Sequence, residues 1–159
     1  MNKIELPVWD GISEYQEHIT IKGRNCWIKA NGLGHLCGYV EISDEELFLA
    51  PRYEPSDNYP NFDVHGGITW EGGDIKGIQT QEYSTLIGFD TAHLGDTAHP
   101  NSATAKRHKE FERTWQLSHP TYISMDTYKD EQFVLNELID LVDQVDQIHV
   151  DNDCKRPGE

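Results

Sequence analysis

The stretch of sequence that decides the fold is KDEQFVLNELIDLVDQVDQI, residues 129–148. Its apolar residues recur every three or four positions, which is the spacing of one face of an α-helix. The residues of this apolar stripe are Val134, Leu138, Leu141, Val142, Val145 and Ile148. Thr127 followed by Asp130 resembles a capping box and predicts where the helix begins. We therefore predict an amphipathic helix from about Lys129 to Ile148 that covers one face of a β-sheet.

Segments rich in alternating, β-branched or aromatic residues predict the strands of that sheet: residues 19–22, 36–42, 62–70 and 83–89. A short polar helix is predicted over residues 104–117, and three prolines predict a surface loop over residues 43–61. The predicted fold class is α/β or α+β, with a single domain, a largely antiparallel central sheet and the C-terminal amphipathic helix packed on it. We expect residues 1–150 to form the globular domain and residues 151–159 to be a flexible polar tail.

The composition excludes several classes of protein. The chain has 159 residues, with 13 Lys and Arg against 28 Asp and Glu, and its net charge is −15. Binding to a nucleic-acid polymer requires clustered Lys and Arg, and an anionic membrane would repel so acidic a protein. Three cysteines without a CxxC pair indicate neither a disulfide framework nor a zinc knuckle. We expect an acidic cytoplasmic protein, and the composition leaves open whether it forms a homo-oligomer.

Two glycine-flanked segments carry the ionisable residues best placed for chemistry: DVHGG, residues 63–67, and GFDTAHLGD, residues 88–96. A strand end gives a side chain a rigid base, and glycine lets a ligand approach the main chain. We predict a catalytic cluster with four members: His65, Asp90, His93 and Asp96. The predicted ligand-binding residues around it are Asp63, Gly66, Gly67, Trp70 and Gly95.

Imidazole beside carboxylate supports two chemistries. In the first, a carboxylate fixes the tautomer of a histidine that moves a proton at neutral pH. In the second, His65, His93 and one or two aspartates enclose a divalent metal such as zinc or manganese. The sequence contains no HExxH spacing that would support a metal site, so whether the protein binds a metal cofactor stays open. A purely structural interpretation is that Asp63 and Asp90 end strands by accepting hydrogen bonds from loop amides. The two segments together favour a common site.

The two segments resemble a family of small, mostly uncharacterised proteins of bacteriophage genomes and prophages. The family pattern is a GYV segment, here residues 38–40, then HGG(I/L)T(Y/W), residues 65–70, then GFDxAHxGD, residues 88–96, and a helix led by Tyr128. The resemblance spans about residues 24–146. It departs from the family at Thr91, where members often carry cysteine, which counts against thiol chemistry.

The resemblance implies a phage accessory protein that acts in the cytoplasm of an infected bacterium. By analogy with other small phage proteins, we expect a hydrolase, specifically a phosphodiesterase, that degrades a small cyclic nucleotide of host antiviral defence. His65 and His93 would then be acid and base, or metal ligands. Two alternatives remain open: a non-catalytic sponge that sequesters the same nucleotide, and an acidic protein that binds and inhibits a host protein.

Overall fold

The computed structural model describes residues 4–12 and 14–159. Its elements, in chain order, are β1 Gln16–Ile21, β2 Arg24–Ala30, β3 Leu36–Ser43, α1 Asp44–Leu49, β4 Trp70–Gly72, β5 Ser84–Asp90, β6 Asp96–Thr97, α2 Ala103–Ser118, β7 Thr127–Tyr128 and α3 Glu131–Asp151. Strands β1 to β5 form one antiparallel sheet in the order β1-β2-β3-β5-β4, and β6 pairs with β7 in parallel. Helix α3 packs on β3 and β2. The fold is α+β, which confirms the predicted antiparallel sheet covered by the C-terminal helix.

Helix α3 buries the predicted apolar stripe. Val134, Leu138, Leu141, Val142 and Val145 are fully buried, and Ile148 is nearly so. The helix begins at Glu131, and its cap is Asp130 rather than Thr127: the Asp130 side chain accepts a hydrogen bond from the backbone N–H of Phe133 at 2.9 Å. The stripe was predictable because it follows the helical period along most of the segment, whereas the cap depends on a single local hydrogen bond.

The close packing of α3 on the sheet depends on Gly38 in the middle of β3. A Cβ atom at this position would lie 2.5 Å from Cζ of Phe89 and 3.1 Å from Cδ2 of Leu138. Gly38 and Phe89 are also register partners across β3 and β5. Because Gly38 has no side chain, the Phe89 ring of β5 and the Leu138 side chain of α3 can both pack against β3.

The predicted strand over residues 62–70 is wrong for most of its length, since only Trp70 belongs to a strand, the short edge strand β4. The residues before it form a turn, in which the N–H of Gly67 donates to the carbonyl of Val64 at 2.9 Å. Phe62, Val64 and Ile68 are nevertheless buried, so their alternation imitates the pattern of a strand. Strand β2 was not predicted as a separate strand, because Cys26, Trp27 and Ile28 are all buried and show no alternation.

A buried ion pair joins β2, α1 and α3. Arg24 and Glu46 are 2% and 0% exposed, and Nη1 of Arg24 donates to Oε1 of Glu46 at 2.9 Å. Nε of Arg24 donates to Asp146 on α3 at 3.0 Å. Ser43 and Glu46 form a capping box at the start of α1, inside the segment predicted to be a loop. Burial alone would raise the pKa of Glu46, but hydrogen bonds from Arg24, Ser43 and His149 together hold that pKa below its ordinary value.

The remaining elements lie outside this core. Helix α2 spans Ala103–Ser118, close to the predicted 104–117, and is mostly exposed. The segment predicted to be a flexible tail lies against the domain: Ser43 Oγ donates to the carbonyl of Lys155 at 2.5 Å, and Arg156 donates to the carbonyl of Lys22 at 2.8 Å. Among the described residues, no helix is both long and apolar enough to cross a membrane.

Replacing Leu138 by alanine should lower the free energy of unfolding by about 2–5 kcal/mol, because the side chain is fully buried and its loss leaves a cavity. Urea denaturation followed by circular dichroism measures the change. The matched control is Val150→Ala on the same helix, where the side chain is 78% exposed and the change should stay within about 0.5 kcal/mol. Equal effects of the two substitutions would show that the stripe is not the core.

Replacing Glu46 by glutamine should destabilise the protein by roughly 3 kcal/mol at neutral pH, because Arg24 loses its charged partner in the core. The pKa of Glu46 is lowered by folding, so its stabilising contribution is complete above its unfolded pKa and is lost as the pH falls through the folded value. The difference between wild type and variant should therefore shrink on acidification, as urea denaturation at neutral and acidic pH will measure. Asp44→Asn, an exposed change of equal charge in the same helical turn, is the control. A difference that stays constant with pH would contradict this account.

Candidate functional site

The four predicted catalytic residues meet at one end of the sheet. Asp90 is the last residue of β5 and Asp96 the first of β6, with His93 in the turn between them. His65 lies in the separate turn at residues 64–67. The ring centroids of His65 and His93 are 5.6 Å apart, and the rings meet edge to face at 67°. Two segments far apart in sequence therefore contribute to one cluster.

The turn between β5 and β6 is held in place by Thr91, which is buried. The Thr91 N–H and Oγ1 both donate to the carbonyl of Leu36, at 3.0 and 2.9 Å, and Oγ1 accepts from the N–H of Leu36 at 3.2 Å. Here the side chain is a structural anchor, and its hydrogen bonds fix the residues that follow it.

Asp96 and His65 form the more buried of the two carboxylate–histidine pairs in the candidate site. Oδ2 of Asp96 lies 2.7 Å from Nε2 of His65 and accepts from the backbone N–H of His93 at 3.1 Å. Its other oxygen lies 3.0 Å from Nζ of Lys129. Burial would raise the pKa of Asp96, but the contacts with His65, His93 and Lys129 hold it below its ordinary value. The carboxylate is thus ionised at neutral pH and fixes the ring of His65.

Asp90 and His93 form the second pair. Oδ1 of Asp90 lies 3.1 Å from Nε2 of His93 and accepts from the N–H of Ala92 at 3.0 Å. Its Oδ2 accepts from the hydroxyl of Thr69 at 3.0 Å. Nε2 of His93 is itself buried and makes no well-aligned hydrogen bond, so its contact with Asp90 is electrostatic. The sequence left open which carboxylate holds His93; the structure places the ring against Asp90, while Asp96 binds the backbone of His93.

Both histidine rings reach the surface, with 23% of the His65 side chain and 32% of the His93 side chain exposed. Nε2 of each ring faces a carboxylate. An imidazole held in this way can take up and release a proton at its second nitrogen, provided that a ligand reaches the exposed edge. The arrangement therefore offers two proton-transfer groups side by side.

Three residues that sequence analysis did not single out complete the site. Lys129 contacts Asp96 and also donates to the carbonyls of Thr127 and Gly95. The ring of Phe133 lies edge to face with His65, with 5.1 Å between centroids. Glu137 accepts a hydrogen bond from the backbone of His65, and burial raises its pKa. The signal that could have found them is helical spacing, since Phe133 and Glu137 are four residues apart on one face of α3.

The predicted ligand-binding residues are only partly in the cluster. Gly66 packs against the His93 ring, and the carbonyl of Gly95 accepts from the N–H of Thr127 at 2.9 Å. The backbone of Asp63 is clasped by the Gln144 side chain through hydrogen bonds of 2.7 and 2.8 Å, while its own side chain is exposed.

Two predicted ligand-binding residues face other surroundings. Gly67 lines a separate cavity of about 330 Å³ with Tyr59 and Phe62. Trp70 lies on edge strand β4, is 38% exposed, and donates its indole N–H to the carbonyl of Gly72 at 3.3 Å. Within the described residues, neither is placed against the two histidines by a hydrogen bond, ion pair or ring contact.

The predicted metal set does not come together as a metal centre. Within residues 4–12 and 14–159, two groups place three potential ligand atoms within 4.8 Å of one another, and neither contains His65, Asp90, His93 or Asp96. The geometry of the candidate site thus favours proton transfer over metal binding as its chemistry. Asp96 does border a cavity of about 380 Å³ whose other walls include His35, Thr97 and Ala98.

Gly66 positions His93, and replacing it by alanine should displace the ring. Gly66 and Gly67 have similar positive φ angles, 70° and 76°. A Cβ atom at Gly66 would overlap Nε2 of His93, whereas one at Gly67 meets nothing within 4 Å. Both substitutions carry a backbone strain of about 1–2 kcal/mol, so Gly67→Ala is a matched control. The NMR signals of the His93 ring should move in Gly66→Ala and stay near wild type in the control. Equal movement in both variants would show that Gly66 does not position the ring.

Comparison of the chain with models of known families, with curated proteins and with solved structures found no match. The resemblance to bacteriophage proteins, drawn from the motifs at residues 65–70 and 88–96, therefore stays a prediction. The case for a function rests on the geometry of the His65–Asp96 and His93–Asp90 pairs.

Proposed function

We propose that the protein is an acid–base hydrolase that cleaves the phosphodiester bond of a small nucleotide. The observation that carries the proposal is the pair of histidines, 5.6 Å apart between ring centroids, each held by its own carboxylate and each partly exposed. Hydrolysis of a phosphodiester needs one group that accepts a proton from water and one that donates a proton to the leaving oxygen. Two neighbouring imidazoles can share these tasks at neutral pH.

The roles follow from the surroundings of each ring. Asp96 is buried and ionised, so it balances the positive charge of a protonated His65, and we assign His65 as the acid. His93 is more exposed and lacks a well-aligned hydrogen bond at Nε2, and we assign it as the base. Lys129 neutralises the second oxygen of Asp96 and helps to keep this carboxylate charged.

The proposed reaction consumes one water molecule. Neutral His93 takes a proton from water as the water oxygen forms a bond to phosphorus. The bond between phosphorus and the leaving ester oxygen then breaks, its electron pair passes to that oxygen, and protonated His65 supplies the proton. The products are a phosphate monoester and a free hydroxyl group, or a single linear nucleotide where the substrate is cyclic. Proton exchange with solvent restores both histidines.

The class of substrate is supported by the resemblance to phage proteins, which implies a cyclic nucleotide used in bacterial antiviral defence. Trp70 follows Thr69, whose hydroxyl donates to Asp90, and Tyr59 lines the same cavity as Gly67. Both rings are exposed and offer faces on which a base can stack. A small ligand also suits a site formed by two short turns rather than by an extended groove.

Replacing His93 by alanine should lower the turnover of the cleaved nucleotide by roughly a hundredfold or more, the usual contribution of a general acid or base. His65→Ala should give a loss of similar size. Turnover is measured by incubating the protein with a panel of cyclic nucleotides and separating product from substrate by chromatography. His18→Ala is the matched control, because His18 is an exposed histidine on β1, outside the site, and should leave turnover unchanged.

The pH profile gives a second readout, since wild-type turnover should change between about pH 5 and 8 if histidines move the protons.

Heating the protein after incubation separates hydrolysis from sequestration. If the wild-type protein releases every nucleotide molecule unaltered, the protein is a sponge that sequesters the nucleotide and not a hydrolase. Turnover that His65→Ala and His93→Ala both leave at the wild-type level would remove these residues from the mechanism.

A further inference from the structure

Three side chains of metal-ligating type approach one another in the 380 Å³ cavity that Asp96 also borders. His108 and Glu112 are one turn apart on the exposed helix α2, and Asp126 lies just before β7. All three line the cavity, and none of them belongs to the proposed catalytic cluster.

The distances between the donor atoms suit a small divalent ion. Nε2 of His108 lies 2.9 Å from Oε1 of Glu112 and 3.9 Å from Oδ2 of Asp126, and all three ligand atoms lie within 4.8 Å of one another. A tetrahedral zinc ion with bonds of about 2.0–2.1 Å places its ligand atoms about 3.3 Å apart. These two distances from His108 lie on either side of this value, so we expect side-chain rotations to accompany metal binding.

We propose that His108, Glu112 and Asp126 bind a divalent ion of the zinc class, with one coordination position open to the cavity. Imidazole nitrogen and carboxylate oxygen are ligands that zinc prefers, and three protein ligands with an open fourth position are typical of zinc sites that bind a further small ligand. The three side chains are 44%, 27% and 29% exposed, so an ion can enter from solvent. Without metal, His108 and Glu112 form an ordinary ion pair, which the ion replaces.

The cavity beyond the open position has both apolar and polar walls. Ser124 and His35 border it. Nδ1 of His35 lies 2.7 Å from the carbonyl of Thr91, which can only accept, so Nδ1 carries the proton. In neutral His35 the unprotonated atom is therefore Nε2, a hydrogen-bond acceptor. The open coordination position thus faces a pocket that can hold water or a small polar ligand.

A second group of potential ligands, formed by Glu46, His149 and Cys154, does not offer a comparable site. Arg24 donates to both oxygens of Glu46, and the backbone of Ser43 and the ring of His149 add further hydrogen bonds. A metal ion would have to displace these bonds beside a buried guanidinium. Burial also raises the pKa of the Cys154 thiol, which disfavours the thiolate that binds metal.

Titration of the whole chain with Co²⁺, a spectroscopic substitute for zinc, tests the proposal. Wild type should show the visible absorption of a four-coordinate cobalt site at one equivalent, and added Zn²⁺ should remove it. His108→Ala should weaken Zn²⁺ binding, measured by calorimetry, by about a hundredfold or more, since even the loss of an outer-shell partner costs about 10–100-fold. Glu112→Gln should weaken binding markedly, whereas Glu110→Gln, the same change on an exposed residue of the same helix, should not.

Several results would overturn the proposal. Binding that is equal in Glu110→Gln and Glu112→Gln would show attraction to the acidic surface alone. A sulfur-to-cobalt charge-transfer band, or loss of binding in His149→Ala, would move the metal to the group around Cys154. The absence of a cobalt spectrum in wild type would leave His108 and Glu112 as an ion pair. None of these results bears on nucleotide cleavage, since the proposed hydrolysis does not use this metal.

Discussion

The packing of α3 on β2 and β3 is the interaction on which the rest of the structure depends. Each fully buried Leu or Val of its stripe contributes about 1.5–3 kcal/mol relative to exposure, so the helix is firmly held. The same helix supports the candidate site. Phe133 packs on the His65 ring, Glu137 holds the His65 backbone, and Gln144 clasps the backbone of Asp63. The position of the turn that carries His65 is therefore set by its contacts with α3, which packs on the core.

Two buried carboxylates have similar electrostatic surroundings but different roles: Glu46 stabilises the core, and Asp96 belongs to the candidate site. Both Glu46 and Asp96 have lowered pKa values, because hydrogen bonds and cations outweigh the effect of burial. Glu46 is bound by Arg24, a cation that does not lose its proton in proteins, and the pair is sealed in the core. Asp96 is bound by His65, whose ring is partly exposed and can exchange its proton. Of the Arg24–Glu46 and His65–Asp96 pairs, only the second contains a partner that can exchange its proton.

Structural features that depend on local sequence pattern could be predicted from the sequence, whereas features that depend on contacts between distant residues could not. The α3 stripe follows helical spacing, and two glycine-flanked strand ends indicated His65, Asp90, His93 and Asp96. The pairing of these residues was not predictable, because His93 stands between Asp90 and Asp96 in sequence while Asp96 turns its carboxylate toward His65. The burial of Phe62, Val64 and Ile68 in an irregular segment imitated a strand. In β2, burial of consecutive residues removed the alternation that marks one.

The charge of −15 acts differently on the two proposed sites. At physiological ionic strength, charges more than about 8 Å apart are largely screened, so the groups next to a ligand dominate its binding. At the histidine pairs, Lys129 and a protonated imidazole offset part of the negative charge of Asp90, Asp96 and Glu137, which reduces the repulsion of a phosphate. At His108, two acids, Glu112 and Asp126, lie beside a single imidazole and favour a cation. An acidic protein can therefore attract a metal ion at one wall of its fold while its local charges admit an anion at another.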